Sequence, residues 1–193
     1  MASKNGKVVC VSSVKGGVGK TILSINLAGI YHLLGKRVLL IDLDLYSGGI
    51  ATCLDIKNKK DIFMLADSIN NNRFTTLADY VTKYNENIDV LASPKDPRMA
   101  NKVTGKYLPL IFEMAKREYD VVLVDTSHIL DEINLTIIET HRLSKALNYF
   151  GYVLKDCCYC IKQKEDLLNL VLFLFICIQG FFCYAIFLNF LYM

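Results

Sequence analysis

Short apolar runs alternate with amphipathic stretches over roughly the first 140 of 193 residues, and loops carrying Gly, Asn, Asp or Pro separate them. Four runs, 7–12, 37–41, 88–92 and 120–124, are near-continuously apolar, the pattern of strands buried on both faces of a parallel sheet. Between them the period lengthens to that of a helix. The clearest case is 20–34, where Ile22, Leu23, Leu27, Ile30, Leu33 and Leu34 predict one apolar face and Gly35 a stop. A second helix is expected over about 98–117, and shorter helical patterns over 61–69 and 76–83 within a polar, Asn-rich stretch. The expected fold class is therefore α/β, a parallel sheet with crossover helices.

The pattern changes beyond about residue 140. No charged residue occurs from Leu167 to Met193, a run long enough to meet the roughly 20 apolar residues that span a bilayer. The reading is thus two regions, 1–140 as the N-terminal part of a domain and 141–193 as an apolar, Cys- and Phe-rich tail, helical or disordered. Composition adds little: a net charge of +3, with Lys and Arg spread along the chain, singles out no nucleic-acid partner. The start of the chain lacks the long apolar core of a secretory signal, so the expected location is the cytoplasm, with 167–193 as a candidate membrane contact. In a reducing compartment the seven Cys are expected as free thiols.

The chemistry begins at residues 15–21, KGGVGKT, between the first strand and the first helix. A phosphate needs several donors converging on its oxygens. Gly16, Gly17, Val18 and Gly19 form a turn whose backbone N–H groups can point inward, and the helix N-terminus adds its positive dipole end. Lys20 is placed to reach the β- and γ-phosphates of ATP, and the Thr21 hydroxyl to coordinate Mg2+. The Lys-Thr pair argues against a dinucleotide-binding loop. A second motif, IDLDL over 41–45, ends a strand with Asp42 and Asp44, two residues apart and so on one side of the strand. A third, YDVVLVDT over 119–126, is an apolar strand that delivers Asp125 to the crevice at the strand ends.

These three motifs in this order resemble the deviant-Walker P-loop ATPases of the MinD/ParA/CpaE family, over about residues 7–140. VLLIDLDLYSGGIA and IDVLASPKDPRMANKV look closer to the MinD and CpaE branch than to plasmid-partition ParA. The resemblance implies that Lys15 is the signature lysine, reaching across a homodimer to the partner's phosphates, and that Asp44 positions the attacking water. It implies that Asp42 and Asp125, with Thr21, serve the Mg2+ shell. Ser127, His128 and Ile129 stand where relatives often carry Pro-Pro or Pro-Ala-Gly, so the second switch is expected to respond differently.

The function implied is an ATP-dependent dimerisation switch that engages a partner protein and is reset by hydrolysis. The alternative is a truncated or frame-shifted nucleotide-binding fragment with little or no hydrolysis, because the strand, helix and adenine-holding loop that relatives carry next are not legible after residue 140. For the tail itself three readings stand: out-of-frame text, a membrane anchor with Lys155, Lys162 and Lys164 on the inner side, or an iron–sulfur role for Cys157 and Cys160. A bacterial P-loop tyrosine kinase is a remote option that the KGGVGKT lysine pattern opposes.

Overall fold

The computed structural model describes residues 6–13, 16–129, 131–141 and 159–160. Its centre is four parallel strands, β1 (Lys7–Ser13), β2 (Val38–Leu43), β4 (Ile88–Leu91) and β5 (Val121–Thr126). The two-residue strands β3 (Thr82–Lys83) and β6 (Tyr159–Cys160) run antiparallel on β4 and β1. The order across the sheet is β3-β4-β2-β5-β1-β6. Every residue of β2 and β5 is buried, as a central parallel strand covered on both faces requires.

Alternate residues serve the two faces. Leu39, Ile41, Val122 and Val124 join one core cluster with α3 (Ile62–Asn70), α4 (Leu108–Glu118) and α5 (Glu132–His141). The opposite face carries α1 (Lys20–Leu33), which packs on β1, β2 and β5. A further short helix, α2 (Ile50–Cys53), follows β2. All described residues fall within one unit, 1–162.

The expected strands are present, each within two residues of its anticipated ends. Three helical expectations are corrected. The buried face of α1 is Lys20, Leu23, Ser24, Leu27, Ala28 and Tyr31, whereas Ile22, Leu33 and Leu34 are 52%, 83% and 50% exposed. Small Ser24 and Ala28 let the helix axis approach the sheet, and that choice of face turns Ile22 and Leu33 outward.

The single helix expected over 98–117 is instead a 3₁₀ segment (Pro97–Lys102), a 3₁₀ turn (Gly105–Tyr107) and then α4. Val103 and Thr104 are extended between them. Gly105 is the reason for the break: a Cβ there would lie 2.3 Å from Thr136 Oγ1 of α5, and its N–H donates to Glu132 Oε1 at 3.2 Å. Over 76–83 the helical pattern yields one 3₁₀ turn (Leu77–Asp79) and then β3, where pairing with β4 satisfies the backbone. The helix expected over 61–69 forms as α3, with Asp61 as N-cap accepting from Met64 N–H at 2.9 Å.

Apart from His141 and Tyr159–Cys160, the readings made for 141–193 lie outside the described residues, including the candidate membrane contact and Cys157 of the Cys157/Cys160 pair. Among the described residues, no helix is long and apolar enough to cross a membrane.

Candidate functional site

β1 ends at Ser13, and the chain re-enters regular structure at Lys20, the first residue of α1. Between them Gly17 and Gly19 have φ of +73° and +89°, left-handed conformations that residues with a Cβ rarely adopt. Gly19 is the N-cap of α1 and supplies no capping side chain, so the helix start presents backbone N–H groups. Lys20 is 8% exposed and Thr21 half-buried. Lys15 lies outside the described residues.

The carboxylates arrive from the sheet. Asp42 and Asp125 stand side by side near the C-terminal ends of β2 and β5, with Val11 of β1 on the other side of Asp125. Both are completely buried. Asp125 Oδ1 accepts the Ser24 hydroxyl at 3.1 Å, which ties the strand end to the first turns of α1. Burial pushes Asp125 up to about 6, against hydrogen bonds from Thr21 and Ser24 and the charge of Lys20. Its Oδ2 is buried without a hydrogen-bond partner.

Asp42 is more fully engaged. Its Oδ1 accepts the Asp44 N–H at 3.1 Å; Oδ2 accepts the Ile50 N–H at 3.1 Å and the Ser93 hydroxyl at 3.4 Å. Burial first and the Asp125 charge second raise Asp42 to about 7, although the two backbone N–H groups oppose the shift. Asp42 therefore shapes the loop from β2 into α2 as well as facing its neighbour. That loop comes close to α1: a Cβ on Gly49 would lie 3.3 Å from Thr21 Cγ2. Asp44, half-buried in the same loop, accepts Ser47 N–H at 3.3 Å.

The structure thus gathers Lys20, Thr21, Asp42 and Asp125, with Asp44 in the adjoining loop. Sequence reasoning did not single out Ser24, Ser93, Thr126 or Asn134. Thr126 Oγ1 donates to Val11 O at 2.9 Å and pins β5 to β1. Asn134 Nδ2 donates to Ser127 Oγ at 2.8 Å and to the carbonyl of Ile129, fixing the turn after β5. Of these only Ser24 left a trace in the sequence, as a small polar residue one turn after Lys20. His128, exposed on that turn, lays its ring against Gly16 of the glycine loop.

The chain resembles known proteins in sequence and in fold. The family model described as "AAA domain" matches residues 6–143. The sporulation initiation inhibitor protein Soj of Bacillus subtilis is 31% identical over 137 residues, 62% of this chain and 49% of that protein. The tyrosine-protein kinase YwqD of the same organism is 31% identical over 126 residues, 64% of this chain and 51% of the kinase. The chain therefore spans about half the length of these curated relatives. Among solved structures, the septum site-determining protein MinD of Pyrococcus horikoshii, complexed with Mg-ADP, superposes with a TM-score of 0.60 at 20% identity. That likeness covers 75% of this chain and 67% of MinD, and it shows a shared fold.

Proposed function

The chain belongs to the AAA-domain family of MinD- and ParA-like P-loop ATPases, and from this premise we propose that it is an ATP-dependent dimerisation switch acting in cellular positioning or assembly. The observation that carries the reading is the meeting of the α1 N-terminus with Asp125, through the Ser24 bond at 3.1 Å. It sets the start of α1, which has no side-chain cap, beside a buried carboxylate.

In this reading the N–H groups of Gly16 to Thr21 and the dipole of α1 hold the β- and γ-phosphates. Lys20 adds a charge to the same oxygens from a largely water-excluded position, where it is least screened. The donor set also suits Mg2+. Asp125 Oδ2 is a buried carboxylate oxygen without a partner, and two adjacent buried carboxylates gain by neutralisation. Thr21 and Asp125 would hold the ion, with Asp42 orienting the loop behind it; a bound Mg2+ would supply charge neutralisation to the phosphates. Asp44 orients the water that attacks the γ-phosphate. Lys15 reaches the phosphates of a second copy and makes ATP binding a condition of dimerisation. The phosphate-side residues that are described, Lys20, Thr21, Asp42, Asp44 and Asp125, support this reading; the alternative of a nucleotide-binding fragment concerns the adenine side, which falls after residue 141 and outside the described residues.

The test is Mg2+-dependent ATP turnover with dimer mass followed by light scattering. Lys20→Ala is expected to abolish ATP binding, a loss of at least tenfold in affinity for a buried charge-assisted contact. Asp44→Ala should retain ATP-dependent dimers while turnover falls about a hundredfold, the scale of a lost catalytic proton-handling group. ATP binding without a change in mass would overturn the switch. Transfer of label from γ-labelled ATP to tyrosine, instead of release as phosphate, would favour the chemistry named for the kinase relative.

A further inference from the structure

We propose that His128 is a phosphate-contacting side chain of this site, donating an imidazole N–H to the terminal phosphate and so selecting nucleoside triphosphate over diphosphate. The proposal rests on the ATP-binding reading above and adds a residue to it. His128 follows Asp125 by three positions, at the exit of the strand that faces the P-loop helix. The atoms nearest to a Cβ built on Gly16 are His128 Cε1 at 3.3 Å and Nδ1 and Nε2 at 3.4 Å. The nitrogen-bearing end of the imidazole is thus what meets the first glycine of the loop. Gly16 makes the approach possible, since a side chain there would crowd the ring.

The turn that carries His128 is held from below. Asn134 of α5 donates to the Ser127 carbonyl at 3.3 Å, to Ser127 Oγ at 2.8 Å and to the Ile129 carbonyl, so both flanking residues are fixed. Ser127 is buried while His128 is exposed, which directs the only ring on the turn outward over the glycine loop. An imidazole offers an N–H donor in either tautomer and two when protonated. A donor poised over a phosphate-binding loop has a partner when the terminal phosphate is present and none from a diphosphate whose last phosphorus sits deeper in the loop.

The experiment compares the affinities of the full chain for Mg2+ with a non-hydrolysable ATP analogue and for Mg2+ with ADP, by calorimetry. His128→Ala is expected to weaken the ATP analogue about tenfold, the scale of one hydrogen bond to a charged group, and to leave ADP unchanged. His128→Gln, which keeps a donor of similar reach, should recover part of the loss. Unchanged ADP affinity also reports that the loop is intact. Equal weakening of both ligands, or of neither, would overturn the proposal. Wild-type protein that binds neither ligand would overturn the ATP-binding reading itself, and this proposal with it.

Discussion

Gly48 shows how tightly single residues constrain the site. A Cβ there would lie 1.6 Å from Ser93 Oγ and 2.6 Å from Ser93 Cβ, with Asp42 Oδ2 at 3.2 Å. Ser93 is short and its Cβ is anchored to the backbone, so it cannot rotate out of the way. Gly48→Ala must displace either the β2 loop or Ser93, the second residue after β4, at a cost of about 1–3 kcal/mol, typical of overpacking. The displaced loop carries the Ile50 N–H that binds Asp42, so nucleotide affinity should fall together with stability. Urea unfolding of Gly48→Ala, Ser93→Gly and the double variant checks this. If Ser93 is the obstacle, the double variant recovers most of the loss, because contacting residues couple; an additive result would place the strain elsewhere.

At the scale of elements, α1 makes the contrast between pattern and packing measurable. Leu27 is buried against the sheet and Leu33 is 83% exposed, although both belong to the apolar face that the sequence predicts. Leu27→Ala should cost about 2–5 kcal/mol, as core truncations do, and Leu33→Ala should stay within about 0.5 kcal/mol; thermal unfolding of the two variants decides it. The strands were legible because a run of Val, Leu and Ile buried on both faces has no alternative reading at that length. The helix face was not legible, since Ser24 and Ala28 face inward through their small size and carry no hydrophobic signal. Nor was the break before α4, which depends on Gly105 meeting Thr136, a residue 31 positions away. The same division holds in the site. Lys20, Thr21, Asp42, Asp44 and Asp125 announce themselves by motif and order, whereas Ser93 and Asn134 act through hydrogen bonds that no spacing encodes.

For the molecule as a whole, the two buried carboxylates link folding to pH and to ligand. Burial pushes Asp125 up to about 6 and Asp42 up to about 7 in the folded protein, against an ordinary value of 3.8. As pH rises above about 4 the unfolded chain loses these protons first, so the unfolded state gains and the native state falls behind. The stability contributed by the protonated carboxyls is full below the unfolded value and is lost by about pH 6 for Asp125 and about pH 7 for Asp42. Asp125→Asn, which cannot ionise, should therefore gain on wild type as pH is raised from 4 to 8 in chelator and without nucleotide. With Mg2+ and nucleotide the order at pH 8 should reverse, because wild type alone gains the full free energy of ligand binding. The measurement is the difference in thermal midpoint between the two proteins across that range. A difference that is constant with pH would mean that Asp125 is ionised in the metal-free fold, and would remove the argument that this carboxylate pair is poised for a cation.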